Sequence, residues 1–121
     1  MSLILAYQDK GITKDLTILD GDGDAIVPGE NDLIRVIIGR EGKLGVALAD
    51  AELVVTSGSP TANGSSLTKN SPSDGTHRLR LDASDLDFPA GIYSLLFELF
   101  DNADAQEWKA IDRETFSLQE T

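Results

Sequence analysis

One segment decides the fold of this chain: residues 87–100, which read DFPAGIYSLLFELF. After Gly91, every second side chain is large and apolar from Tyr93 to Leu99, and polar side chains occur among the intervening positions. This period of two is typical of a β-strand with one buried face and one wetter face. We predict that residues 92–100 form the central strand of an all-β domain.

The segments around this strand predict its neighbours. Residues 76–81 alternate between apolar and polar side chains, as expected of a strand with one face in the core. Residues 82–86 begin with an aspartate that suits a helix N-cap, which predicts a single helical turn at a corner of the sheet. Residues 106–111 and 115–118 predict a return strand with a bulge near Asp112.

The remainder of the chain adds short strands separated by turn-forming residues. The pair Asn63-Gly64 is a strong hairpin signal, and residues 1–10 predict an edge strand or an arm that pairs with a neighbour. Residues 1–121 therefore predict a single domain, an antiparallel two-sheet β-sandwich of about eight strands. Its remaining strands are predicted at residues 16–19, 33–38, 52–57 and 66–69.

Tyr93 stands where a specific structural corner would occur. In immunoglobulin-like sandwiches, a tyrosine near the start of strand F hydrogen-bonds back to the main chain a few residues upstream. Here Tyr93 follows Pro89 and Gly91, two residues that favour a turn just before the strand. The sequence therefore predicts an immunoglobulin-like corner built from these three residues, and the alternative is an ordinary core tyrosine.

Composition limits the partners of this protein. Its 121 residues include 10 Lys and Arg against 21 Asp and Glu, for a net charge of -11. Such a surface repels phosphate backbones and anionic lipid, so we expect neither nucleic acid nor a membrane as a partner. The first apolar run is shorter than that of a signal peptide, and no basic residue precedes it, so we predict no export signal.

Alternating carboxylates at Asp20, Asp22 and Asp24 suggest a calcium loop, because carboxylate oxygens suit a hard cation. Ca²⁺ is the only cofactor that the sequence suggests. An EF-hand also needs a glutamate at its twelfth position, where this chain has Asn31 or Leu33, depending on where the loop is counted from. The favoured interpretation is an ordinary turn between strands, with a weak calcium site as the alternative.

No arrangement of residues that would support catalysis is apparent in the sequence. The chain has no Cys, a single histidine, His77, and no Gly-x-Ser-x-Gly motif. Phosphate-binding and dinucleotide-binding fingerprints are absent as well. We therefore predict that the protein is not an enzyme and has no catalytic residues.

Several short motifs occur in an order that resembles a known family. They lie at residues 16–23, 79–81, 85–86, 89–93, 101–104 and 116–118, the fifth being an acidic hairpin. Together they resemble the small immunoglobulin-like domains of tailed-bacteriophage virion proteins, and are most similar to the N-terminal domain of baseplate upper-fin proteins. The resemblance implies a structural or interaction module of a phage or prophage particle, as a tail, baseplate or head accessory protein.

The same resemblance implies partners and a location. The partners would be other virion proteins or copies of this chain, in a homo-oligomer or a larger assembly. The protein would lie in the virion, or in the host cytoplasm before assembly. The acidic run at residues 20–24 and the acidic hairpin leave a second function open, a calcium- or carbohydrate-binding accessory β-sandwich module.

Overall fold

The computed structural model describes residues 3–20, 22–29, 31–40, 48–69, 76–100 and 107–120. Within these ranges the chain forms eight β-strands and no α-helix, which confirms the predicted all-β class. The strands are β1 (Leu3–Tyr7), β2 (Ile12–Thr17), β3 (Leu33–Arg40), β4 (Leu53–Thr56), β5 (Ser66–Lys69), β6 (Thr76–Leu81), β7 (Gly91–Phe100) and β8 (Trp108–Gln119). The predicted acidic hairpin at residues 101–104 lies outside the described residues.

The strands form two sheets. One is a curled five-stranded sheet in the order β1-β8-β7-β3-β4, and the other is three-stranded in the order β2-β6-β5. Every pair is antiparallel except β1 with β8, which is parallel. The prediction of an antiparallel sandwich is therefore wrong for one pair, and the larger sheet is mixed. β1 and β8 come from opposite ends of the chain, so no short hairpin connection requires them to pair antiparallel.

The core is built from alternating positions of the strands. On β7, the side chains of Tyr93, Leu95 and Phe97 are each 1% exposed or less, and this strand pairs with β3 on one side and β8 on the other. On β6, Leu79 and Leu81 are buried while the arginines between and before them are exposed. Burial of each large apolar side chain contributes about 1.5–3 kcal/mol. The period-two pattern thus explains which face of β7 enters the core.

Several local predictions can be compared directly with the structure. The short strand predicted at residues 66–69 is confirmed as β5. The helical turn predicted at the sheet corner is confirmed as a 3-10 turn, Ala83–Asp85, which is capped by the side chain of Asp82. The bulge predicted near Asp112 is confirmed as well, because the pairing of β7 with β8 passes over Ile111.

The second strand begins earlier than predicted. The sequence predicts a strand at residues 16–19, whereas β2 covers Ile12–Thr17 and pairs with β6 at the edge of the smaller sheet. The first residues of β2 are mostly polar and exposed, so no apolar alternation reveals them in the sequence. Ile18 is buried all the same, and Leu19 forms an isolated bridge with Ala25.

Candidate interaction surface

An apolar patch lies on the outer face of the five-stranded sheet, beside its β1 edge. The strand register places Leu5 on β1 and Ile92 on β7 on either side of Ser117 on β8. Leu5 is 49% exposed and Ile92 is 47% exposed, and Tyr7, at 41%, lies opposite Gln119. We call these five residues the edge patch, in which polar Gln119 is exposed as well and Ser117 is buried, at 3%. Exposed apolar side chains that gather in one place are typical of a surface that contacts another molecule.

The edge patch exists because β1 is apolar on both faces. Ile4 and Ala6 face the core and are 2% and 0% exposed, whereas Leu5 and Tyr7 alternate with them and face outward. A strand with one solvated face normally carries polar side chains there. β1 also lacks the charged residues and prolines that commonly protect an edge strand from pairing with another chain.

The main chain of β1 has open hydrogen-bonding groups on its outer edge. Gln8 donates its backbone N–H to the carbonyl oxygen of Gln119 at 3.0 Å, on the side of β8. Successive residues of a strand direct their main-chain groups to opposite sides, so Leu5 directs its N–H and C=O away from β8. β1 is the outermost strand of its sheet, and among the described residues no other strand pairs with that side.

A turn limits the open edge at its far end. The backbone N–H of Lys10 donates to the carbonyl oxygen of Tyr7 at 3.1 Å, and the two residues form an isolated antiparallel bridge that occupies the outer side of β1 at Tyr7. Beyond this turn, Gly11 comes so close to β6 that an added Cβ would lie 2.8 Å from the carbonyl oxygen of Leu81. The open main-chain groups are therefore confined to the part of β1 before Tyr7.

The edge patch is uncharged. Its five side chains carry no formal charge, although the chain as a whole carries -11. The neighbouring outer row, formed by Gly39, Ser94 and Thr115, carries no charge either. The carboxylates that give the chain its net charge therefore do not interrupt this part of the surface.

The other end of the same outer face holds a closed polar cluster. Arg35 on β3 forms an ion pair with Glu98 on β7, with Nε and Oε1 2.5 Å apart, and the two side chains are only 13% and 15% exposed. The Arg35 guanidinium lies 3.9 Å from the ring centroid of Trp108, which packs against Phe100 with the centroids 5.4 Å apart. These contacts join three strands and leave little polar surface for a partner.

Sequence analysis did not identify Arg35 and Glu98 as a pair. The signal available was a charged residue within each of two otherwise apolar strands. Only the register of β3 against β7, which places these two residues opposite each other, identifies them as a pair.

The three residues of the predicted corner come together. The Tyr93 hydroxyl donates a hydrogen bond to the carbonyl oxygen of Pro89 at 2.5 Å, and its ring packs edge-on against Phe88 with the centroids 5.0 Å apart. Gly91 has φ +155°, a conformation that side chains rarely adopt. Burial raises the pKa of the Tyr93 hydroxyl above its ordinary value. The geometry is that of a structural corner and not of a surface open to a ligand.

A hydrogen-bond network that sequence analysis missed fastens the 3-10 turn Ala83–Asp85, which precedes this corner, to the loop at residues 61–65. The Asp85 carboxylate accepts hydrogen bonds from Thr61 Oγ1 at 2.6 Å, from Asn63 Nδ2 at 2.8 Å and from the Ser65 hydroxyl. The Ser65 hydroxyl is buried and also accepts a bond from the backbone N–H of Asp82 at 2.8 Å. Desolvation alone raises the pKa of Asp85, but the hydrogen bonds from Ser65, Thr61 and Asn63 outweigh it and hold the pKa below its ordinary value.

The predicted calcium ligands do not converge on a common point. Asp20 Oδ1 accepts hydrogen bonds from the backbone N–H groups of Asp22 at 2.9 Å and Asp24 at 3.0 Å, so this carboxylate closes the turn. All three residues are described, and within the described residues no group of three or more His, Asp or Glu side chains is placed to hold a metal ion. The geometry matches the ordinary turn that the sequence favours.

A groove of about 490 Å³ opens beside β5. Leu33 and Leu67 contribute to its mainly apolar lining, which contains no aromatic ring and no carboxylate. Ligand pockets need a few convergent polar groups that fix orientation. The lysine in this lining, Lys69, donates through Nζ to the carbonyl oxygens of Gly29 at 2.9 Å and Asp32 at 2.6 Å. The groove therefore gives no specific support to a carbohydrate-binding function.

The motifs behind the family resemblance lie at central places in the fold. Residues 79–81 belong to β6, residues 89–93 form the corner and the start of β7, and residues 116–118 belong to β8.

In the part of the chain that the structure describes, no helix has the length and apolar character needed to cross a membrane. No protein-family model matches the chain, and no curated protein matches it either, so the resemblance stays a prediction.

Proposed function

We propose that this protein is a non-enzymatic interaction module of a phage or prophage particle, and that it binds a neighbouring protein through the β1 edge and the edge patch. One observation carries this proposal: exposed Leu5, Tyr7 and Ile92 adjoin a strand whose outer main-chain groups are open at Leu5. Strand addition at such an edge supplies main-chain hydrogen bonds, and the neighbouring side chains supply specificity. The partner is another virion protein or a further copy of this chain.

The finer fold that we propose is immunoglobulin-like. In that fold, one sheet contains strands B, E and D, and the other contains G, F and C, with C′ added in variable-type domains. The observed orders β2-β6-β5 and β8-β7-β3-β4 fit these two series. The hydrogen bond from Tyr93 to Pro89 supports the same assignment, because it lies at the start of the strand that would be F.

The place of the module in a particle rests on the sequence resemblance to phage virion domains. In that setting the protein is a tail, baseplate or head accessory component, and it is in the host cytoplasm before assembly. The net charge of -11 disfavours nucleic acid and anionic membranes as partners. An uncharged patch with an open strand edge favours a protein partner instead.

The proposal is tested on particles purified by density gradient from a lysate of the source strain. An antibody raised against this chain should detect it in the particle fractions, at a constant ratio to the major structural protein. Because salt screens exposed charges but not apolar contacts, the protein should remain on the particles after a wash in high salt. Detection in the soluble fractions alone would contradict the proposal.

A matched pair of variants tests the surface that makes the contact. Leu5→Asp places a carboxylate in the edge patch, and we expect it to remove the protein from the particle fractions. Leu19→Asp is the control, since Leu19 is 41% exposed but lies beside Asp112, outside the edge patch. If both variants were absent from the particle fractions, or if both were present, the contact would lie elsewhere.

A further inference from the structure

The turn that precedes β5 carries an asparagine with a reactive neighbour. Asn63 is the one asparagine of the four in the chain that is followed by glycine. In such a pair, the main-chain nitrogen of the glycine can attack the side-chain carbonyl carbon of the asparagine, because glycine has no side chain to obstruct the approach. We propose that Asn63-Gly64 is a deamidation site, that the hydrogen bonds to Asp85 restrain the reaction, and that its product opens those hydrogen bonds.

The reaction requires only water. Gly64 N forms a bond to Asn63 Cγ, the bond from Cγ to Nδ2 breaks, and the Gly64 N–H proton leaves with the amide nitrogen as ammonia. The result is a succinimide ring, and water then opens this ring at either of its two carbonyl carbons. The products are an aspartate or an isoaspartate, and both carry a carboxylate in place of the neutral amide. Asn63 is exposed, so water reaches it.

The turn itself requires the glycine that makes this pair reactive. Gly64 has φ +100°, a conformation that side chains rarely adopt. Its backbone N–H donates to the carbonyl oxygen of Thr61 at 3.0 Å and closes the turn. A residue with a side chain at this position would slow the chemistry but would strain the turn, so the fold retains the reactive pair.

The folded turn holds both reacting groups in other contacts. Gly64 gives up its N–H proton during the attack, so its hydrogen bond to Thr61 has to break first. Asn63 Nδ2 donates to Asp85 Oδ1 at 2.8 Å, and Thr61 Oγ1 donates to the same carboxylate at 2.6 Å. Asp85 therefore anchors the first and third residues of the turn. A hydrogen bond to a charged group changes an opening equilibrium by about tenfold or more, so the attack is slow while these bonds are intact.

The reaction removes one of the contacts that restrain it. Asn63 meets Asp85 as a hydrogen-bond donor, and the donating nitrogen is the atom that leaves as ammonia. The new carboxylate can only accept hydrogen bonds, and it faces the carboxylate of Asp85. Two carboxylates at such close range repel each other. Deamidation therefore replaces an attraction between the loop at residues 61–65 and the 3-10 turn with a repulsion.

Timed incubation in a mildly alkaline buffer, followed by peptide mass spectrometry, measures the deamidation rate at Asn63. The folded wild-type chain should react at least about tenfold more slowly than the same chain in urea. Asp85→Ala should raise the rate in the folded chain about tenfold or more, because the turn loses its anchor. Ile4→Ala is the control, since it opens a cavity in the core without touching this turn, and its rate should stay near that of wild type. Circular dichroism checks that the variants are folded.

The effect of the product is tested without waiting for the reaction. Asn63→Asp introduces the carboxylate, and Asn63→Ala removes the hydrogen bond without adding a charge. Asn63→Asp should unfold at a lower urea concentration than Asn63→Ala in a buffer of low ionic strength. When both changes are repeated together with Asp85→Asn, which removes the repelling charge, Asn63→Asp should no longer be the less stable of the two.

The outcomes decide each part of the inference. Absence of deamidation at Asn63 in urea would show that the pair is not a reactive site. Equal rates in the folded and urea-unfolded wild type, or an unchanged rate in folded Asp85→Ala, would overturn the restraint by Asp85. If Asp85→Ala does not fold, the comparison of the Asn63 variants decides. Equal stability of Asn63→Asp and Asn63→Ala would show that the product does not open the contact.

Discussion

The corner around Tyr93 and the edge at β1 differ in whether their polar groups are hydrogen-bonded and their apolar groups are buried within the chain. At the corner, the Tyr93 hydroxyl and the Asp85 carboxylate are hydrogen-bonded within the chain, and the aromatic ring of Tyr93 is buried. At the edge, Leu5 and Tyr7 remain exposed, and Leu5 has main-chain groups with no partner strand among the described residues. The comparison teaches that polar residues near a turn hold this fold together, whereas its exposed apolar residues are available for association.

Among changes to polar groups, the largest effect is expected from removing the Asp85 carboxylate. Asp85→Ala should lower the free energy of unfolding by about 3 kcal/mol, because hydrogen bonds to a charged group contribute about 1.5–3 kcal/mol each and the buried Ser65 hydroxyl loses an acceptor. Urea unfolding measures the change. Asp87→Ala is the matched control, since Asp87 is exposed, and it should change the value by less than about 0.5 kcal/mol. Equal losses in both variants would show that the network does not stabilise the corner.

Acid should abolish that contribution of Asp85. Its pKa in the folded chain is held below the ordinary value, so the carboxylate binds protons more weakly in the folded state than in the unfolded one. The stabilisation is therefore fully present above the unfolded pKa, about 3.9, and is lost as pH falls through the folded pKa. The difference in unfolding free energy between wild type and Asp85→Ala should stay constant from pH 7 to about pH 5 and shrink below about pH 4. A difference that grew in acid would contradict a folded-state pKa of Asp85 below its ordinary value.

These two regions also differ in how far the sequence predicts them. The corner is visible in the sequence, because Pro89, Gly91 and Tyr93 lie within five consecutive residues that end at the start of a period-two strand. The Asp85 network is not, because its partners Thr61 and Ser65 are 24 and 20 residues away along the chain. Whether such residues meet depends on how the two sheets fold over each other, which local patterns do not encode.

The edge could be predicted only in part. Apolar alternation marks residues 3–7 as a strand, but both of its faces are apolar, so the pattern does not say which face enters the core. Nor does a local pattern reveal that β1 pairs parallel with β8, since the two strands lie at opposite ends of the chain. The ion pair of Arg35 with Glu98 could not be predicted for the same reason, because it depends on the register of β3 against β7.

A smaller effect is expected from the hydroxyl of the corner tyrosine. Tyr93→Phe keeps the ring in the core and removes the hydrogen bond to Pro89, so it should lower the free energy of unfolding by about 1 kcal/mol. Tyr7→Phe makes the same chemical change at a side chain that is 41% exposed and should leave the value within about 0.5 kcal/mol. The chain contains just these two tyrosines, so the pair compares the corner with the edge by one chemical change. Equal melting temperatures of wild type and Tyr93→Phe would remove the corner as a stabilising feature.

The smallest effect is expected at the outer face of β1, in dilute solution where the chain is monomeric. Leu5→Ser should change the free energy of unfolding by less than about 0.5 kcal/mol, because the side chain is 49% exposed and leaves no cavity. Ile4→Ala, one residue earlier, should cost about 2–5 kcal/mol, because Ile4 is 2% exposed and its removal opens a cavity in the core. If both variants were equally destabilised, Leu5 would belong to the core and the edge would not be available to a partner. If only Ile4→Ala is destabilised, the outer face of β1 contributes little to folding, and the exposed apolar side chain of Leu5 is better explained by association.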